Sequence, residues 1–150
     1  PYEAVNAGQS GETSAGSLAR IDWVLREPAD VLVIETGAND GLRGLSVTAM
    51  RENIQGIIDA ARNRPSPPGI LLIGMEAPPN LGPRYTGQFR TAFADLARQN
   101  GTAFLPFLLT GVAGLDSLNQ ADGIHPTAEG QEIIAGHVWQ ALRPMLSLTP

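Results

Sequence analysis

Three observations in this sequence predict an α/β fold built on a parallel sheet. Short apolar runs rich in Val, Ile and Leu recur along the chain, longer segments with apolar residues at helical spacing separate them, and glycine or proline punctuates the junctions. Strands covered on both faces read as continuous apolar runs, and a parallel crossover needs roughly a dozen residues or more, usually a helix.

The elements follow in order. Glu3-Ala4-Val5-Asn6-Ala7 is a weak first strand, and a helix is expected from about Ser14 to Arg26, with Leu18, Ile21, Trp23 and Leu25 apolar and Pro28 stopping it. Asp30-Val31-Leu32-Val33-Ile34-Glu35 is the clearest strand. Ser46 is the expected N-cap of a second helix that reaches about Asn63 and buries Met50, Ile54, Ile57 and Ile58. The run Arg64-Pro65-Ser66-Pro67-Pro68-Gly69 ends it, because proline supplies no N–H to continue a helix.

Ile70-Leu71-Leu72-Ile73 is the next buried strand. A third helix spans about Tyr85 to Gln99, with Phe89, Phe93 and Leu96 on one face, and closes at Asn100-Gly101. Ala103-Phe104-Leu105 is the last strand, and a final helix from Thr127 to about Arg143 offers Ile133, Ile134, Val138, Ala141 and Leu142 to the core. With no internal repeat, linker or low-complexity stretch, residues 1–150 read as one domain.

Composition narrows the chemistry. At 150 residues and 43% hydrophobic, the chain is long enough for a single sizeable core. A net charge of −5 without a basic cluster argues against nucleic-acid binding, which needs concentrated Lys or Arg against phosphate. All 10 basic residues are arginine, so Schiff-base and P-loop lysine mechanisms are out. Without cysteine there is no disulfide, thiolate nucleophile or cysteine zinc site, and the compartment stays open between cytosol and periplasm. No apolar run approaches the ~18 residues of a membrane span, and Pro1-Tyr2-Glu3-Ala4-Val5 reads like the middle of a domain.

Ligands of open parallel sheets bind beyond the carboxyl ends of the strands, which singles out four segments. Gly8-Gln9-Ser10-Gly11-Glu12-Thr13 can bring a backbone N–H to an anion, or be a plain strand-to-helix turn capped by Thr13. In Thr36-Gly37-Ala38-Asn39-Asp40-Gly41, the Asn39 amide is a candidate oxyanion donor, although Asn-Asp-Gly is also ordinary turn chemistry.

Asp122-Gly123-Ile124-His125-Pro126 places a carboxylate three residues before a histidine, with glycine between to permit a tight turn. Such a carboxylate can accept the imidazole Nδ1–H and leave Nε2 as a general base; the alternative is a capping turn with an exposed histidine. His137, in mid-helix beside Val138, reads as structural. The long segment Ala77-Pro78-Pro79-Asn80-Leu81-Gly82-Pro83-Arg84-Tyr85 reads as an irregular loop in which Asn80, Leu81 and Arg84 can meet a substrate, or as a rigid connection.

Taken in order, Ser10-Gly11-Glu12-Thr13, Gly37-Ala38-Asn39-Asp40-Gly41-Leu42-Arg43-Gly44 and Asp122-Gly123-Ile124-His125-Pro126 resemble the SGNH (GDSL-type) hydrolases, in particular their bacterial thioesterase, lysophospholipase and arylesterase branch. Pro79-Asn80-Leu81-Gly82-Pro83-Arg84-Tyr85 and Leu105-Pro106-Phe107 are similar to that branch too. The resemblance implies a three-layer, flavodoxin-like fold and hydrolysis of esters and thioesters through a serine, with no metal or organic cofactor. It implies oxyanion-hole roles for the Gly11 N–H and the Asn39 side chain, His125 as general base and Asp122 as the carboxylate that orients it. A periplasmic or secreted location is implied as well.

The family's first block, Gly-Asp-Ser-Leu or a near variant, is not in this sequence. Ser10, Ser14, Ser46 and Ser66 all lack a Gly-Asp-Ser context, so no nucleophile is assigned within the 150 residues. In the family's strand order, similar to 2-1-3-4-5, the strand bearing that block lies between the two that open this chain. Its absence leaves backbone N–H and C=O groups unpaired along both. The expectation is therefore a C-terminal portion of the enzyme, partnered by an N-terminal fragment of the same protein that carries the serine and acting on a small ester or acyl substrate. A non-catalytic flavodoxin-like module and a carbohydrate ester deacetylase are the competing readings.

Overall fold

In the computed structural model, residues 2–146 are described. Three parallel strands, β1 (Val31–Ile34), β2 (Gly69–Ile73) and β3 (Ala103–Leu105), form a sheet in the order β1-β2-β3. Val31 aligns with Gly69 and Ile34 with Leu72, while Leu71 aligns with Ala103 and Ile73 with Leu105. Six α-helices complete the architecture among the described residues: α1 (Ser14–Ala19), α2 (Ile21–Val24), α3 (Ala38–Leu42), α4 (Val47–Arg62), α5 (Gly82–Asn100) and α6 (Ala128–Leu142).

The pleat divides the strand residues between two faces. Ile34, Ile70 and Leu72 join Met50, Ile54 and Ile58 of α4 and Phe89, Phe93 and Leu96 of α5 in one continuous core. Phe89 and Phe93 meet edge to face, with centroids 5.4 Å apart. On the opposite face, α6 packs near β3, and Val112, Leu118 and Ile134 form a smaller cluster. β2 is buried throughout apart from Gly69, whereas Val33 of β1 is 38% exposed. β1 pairs on one side only, so its outer row of backbone groups has no strand against it among the described residues.

The expected α/β class, the parallel sheet and the three strong strands are all present, and four expectations are corrected. Glu3–Ala7 is not a strand: it has no ladder partner among the described residues, and a strand exists only through a neighbour that takes its hydrogen bonds. The single helix from Ser14 to Arg26 is two short ones broken at Arg20, and Trp23 is 65% exposed while Ile21 and Leu25 are buried. α5 begins at Gly82, where Pro83 stands in its first turn, a position that tolerates a missing N–H. In α6, Ile134 is buried but Ile133 and Val138 are only half-buried, and Trp139 is 47% exposed.

The capping signals were legible. The Ser46 side chain accepts from the Ala49 N–H, the Thr127 side chain accepts from the Gly130 N–H, and Gly101 closes α5 with φ +58°.

Candidate active site

The Gly8–Thr13 segment turns tightly at Gly11, whose φ of +74° lies in the left-handed region that favours glycine. Arg20 anchors the segment from behind. Its guanidinium donates to both Glu12 carboxylate oxygens, at 2.7 and 2.6 Å, and to the Ala7 carbonyl at 2.7 Å. This pairing holds the Glu12 carboxyl below its ordinary range and raises Arg20. Thr13 stands at the N-cap of α1 without making a side-chain cap bond.

Asn39 sits in α3, just beyond the carboxyl end of β1. The chain enters this helix through Gly37 at φ +102°, and a Cβ there would stand 3.0 Å from Met50 Sδ and 3.1 Å from Phe93 Cζ, so packing and backbone both call for glycine. The segment, whose Asn-Asp-Gly is also ordinary turn chemistry, runs as a short helix over Ala38–Leu42, with Asn39 half-buried, Asp40 and Gly41 buried, and no room for a Cβ on Gly41 beside Phe89. Glu35, next to the same strand end, has its carboxyl raised by desolvation.

Asp122 and His125 make the expected contact. Asp122 Oδ2 lies 2.7 Å from His125 Nδ1, and its Oδ1 accepts the N–H groups of Ile124 and His125 at 2.9 and 3.0 Å. The hydrogen bond from the imidazole, supported by the two amides, holds the Asp122 carboxyl well below the usual carboxylate range. A carboxylate on Nδ1 selects the tautomer with its proton there, which leaves Nε2 as an acceptor. The loop is tied at its base: Asn119 and Pro126 form an antiparallel bridge, the Gln120 N–H donates to the His125 carbonyl at 2.7 Å, and Asn119 Nδ2 donates to the Val112 and Leu115 carbonyls.

The first two segments are joined directly. The Ser14 N–H and hydroxyl donate to the Asp40 carboxylate at 2.8 and 2.6 Å, and Arg43 donates to the Gly11 carbonyl at 2.9 Å. The Asp122–His125 pair stands on the loop entering α6, after β3. β1 and β3 flank β2, so their ends lie about 10 Å apart at the usual strand spacing.

The fourth segment differs from the expected loop, because Pro79–Leu81 is a 3-10 turn running straight into α5. Leu81 packs against the core and stands 3.5 Å from where a Cβ on Gly44 would lie, while Asn80 and Arg84 are exposed. His137 is set apart in α6, with its Nδ1 buried and unpartnered. Sequence reasoning missed Ser14, Asp40, Arg20 and Glu12. Only Asp40, adjacent to Asn39, carried a local signal.

The sequence model of the GDSL-like lipase/acylhydrolase family matches residues 1–133. The chain is 43% identical over 146 residues to Esterase TesA of Pseudomonas aeruginosa, covering 97% of this chain and 72% of that protein. It is 34% identical over 145 residues to Thioesterase 1/protease 1/lysophospholipase L1 of Escherichia coli strain K12, covering 95% of this chain and 68% of that protein. A crystal structure of TesA superposes with a TM-score of 0.91 at 42% identity, covering 97% of this chain and 81% of that one.

Proposed function

This chain belongs to the GDSL-like lipase/acylhydrolase family, the SGNH ester hydrolases, and from that premise we propose that it supplies the general base and two oxyanion donors of a serine esterase or thioesterase. The observation that carries this reading is the 2.7 Å contact from Asp122 to His125 Nδ1, which leaves Nε2 to accept a proton. These 150 residues hold no Gly-Asp-Ser, and in this proposal the nucleophilic serine follows a strand, carried by an N-terminal fragment of the same protein, that would pair with the outer edge of β1. A parallel strand in that place ends beside Glu35 and Asn39, so a Gly-Asp-Ser turn following it enters the region of the oxyanion donors.

Acyl transfer then follows. His125 Nε2 takes the serine proton as Oγ attacks the carbonyl carbon, and the resulting oxyanion is held by the Gly11 N–H, the Asn39 amide and the serine's own N–H. Collapse of the tetrahedral intermediate passes the proton from His125 to the leaving alcohol or thiol. Water activated by the same imidazole releases the acid. Asp122, fully ionised at neutral pH, stabilises the imidazolium in both halves of the reaction.

Asn80, Leu81 and Arg84 border the substrate, with Leu81 as the apolar contact. The apolar Phe104–Leu109 stretch, of which Phe104, Leu108 and Leu109 also pack against the core clusters, leans toward acyl chains or aryl esters, including lysophospholipids, over carbohydrate acetates. No helix among the described residues is long and apolar enough to cross a membrane, and the proposed setting is periplasmic or secreted.

Treatment of the folded preparation with a fluorophosphonate, followed by mass spectrometry, tests the reading. Label is expected on a second peptide that carries Gly-Asp-Ser, with residues 1–150 unlabelled. An active preparation containing only this chain would refute the placement of the serine.

A further inference from the structure

α1 lacks an N-cap from its own neighbours, and the group that supplies one comes from 26 residues away. The Ser14 N–H, at the first position of α1, donates to Asp40 Oδ2 at 2.8 Å, and the Ser14 hydroxyl donates to Oδ1 at 2.6 Å. Asn53 of α4 donates in turn to the Ser14 oxygen at 3.0 Å. Ser14 is completely buried and Asp40 is 3% exposed. A buried carboxylate is expensive unless its oxygens are matched by donors, and among the described residues Asp40 forms no ion pair. A residue this costly needs a purpose beyond filling space.

Its position supplies one. Asp40 is the residue after Asn39, and Ser14 lies three after Gly11, so this pair of hydrogen bonds sets the spacing between the two proposed oxyanion donors. Arg43, one turn further along, closes the arrangement from the solvent side through the Gly11 carbonyl at 2.9 Å. The Gly11 loop contains no strand or long helix to hold it, and Gly11 itself adopts a backbone conformation open to many alternatives.

Resting on the oxyanion-hole reading above, we propose that Asp40 is a positioning residue: with Arg43, it fixes the distance and angle between the Gly11 N–H and the Asn39 amide. The through-space effect of its charge runs the other way, since a fixed anion beside a developing oxyanion opposes it. Geometry and electrostatics therefore predict opposite signs for the isosteric variant Asp40→Asn.

The test uses the complete hydrolase, this chain together with its serine-bearing strand. Turnover of a small aryl ester is expressed per serine titrated with a fluorophosphonate, so that loss of folded protein does not count as loss of rate. For Asp40→Asn, kcat per titrated serine is expected to fall about tenfold to a hundredfold, as for donors displaced by a fraction of an ångström to one ångström, with KM nearly unchanged. Affinity for an alkyl boronic acid, whose serine adduct is tetrahedral and anionic, should fall in parallel. Arg43→Gln is expected to lower kcat in the same sense, and Arg43→Lys, which keeps a donor, to recover part of it. Ile58→Val, a core change in α4, should lower the melting temperature and leave kcat per titrated serine intact.

An unchanged or increased kcat per titrated serine in Asp40→Asn would overturn the proposal; should that variant not fold, an unchanged value in the surface variant Arg43→Gln would do so. Asn39→Ala separates the two levels. If it too leaves kcat unaltered, the oxyanion-hole reading itself is wrong and the clamp falls with it; if it lowers kcat while Asp40→Asn and Arg43→Gln do not, only the clamp is refuted.

Discussion

Two aspartates in this molecule do similar bonding in opposite surroundings. Asp40 takes the backbone N–H and hydroxyl of Ser14 in a buried site, and Asp122 takes two backbone N–H groups and an imidazole on a surface loop where its side chain is 45% exposed and that of His125 67%. The Asp122 pair is local: four consecutive residues and a glycine turn at φ +68° make it, so it forms wherever that loop is tied down. The Asp40 pair is tertiary, joining segments 26 residues apart through the packing of α1, α3 and α4. The lesson is that the proposed base is carried by sequence neighbours, while the proposed oxyanion side depends on how the core assembles.

Substitutions at the two ends can break that contrast. The largest effect is expected from His125→Ala in the complete hydrolase, where loss of the proposed general base should lower kcat by roughly 10²–10⁴-fold. Because the side chain is 67% exposed, the melting temperature measured by calorimetry should hardly move. Asn39→Ala should follow at roughly 10²–10³-fold in kcat, measured per titrated serine, the usual consequence of losing one oxyanion donor. If either variant loses activity only by unfolding, the division into a local base and a core-held oxyanion side is wrong.

Stability should show the reverse ranking. Ser14→Ala leaves the buried Asp40 carboxylate with one donor fewer, and urea unfolding should report a loss of about 1–3 kcal/mol. The smallest effect belongs to Asp122. Its carboxyl is held below the ordinary value of 3.8, so the native state binds its proton less readily than the unfolded chain. The stability it contributes is therefore fully present above pH 3.8 and fades as pH falls through the lower native value. Melting curves of the native chain and Asp122→Asn should differ slightly at neutral pH and converge in strong acid. A difference that grows toward low pH would reverse the sign of this linkage.

Several features are readable in the amino-acid order alone because they rest on nearest neighbours. Apolar runs mark the three strands, Ser46 and Thr127 mark helix starts, and the Asp122–His125 spacing marks its own hydrogen bond. The order of the three motifs is enough to identify the family. Only the tertiary structure decided the rest. Glu3–Ala7 has strand composition and no strand, since a strand's hydrogen bonds belong to its neighbour; Ala38–Leu42 lies in a stretch of turn composition and forms a helix, where a Cβ on Gly37 or Gly41 would meet Met50, Phe89 or Phe93. Asp40 reads as one more turn residue, and its burial against Ser14 depends on the packing of three helices, a contact between distant segments that no local pattern of residues encodes.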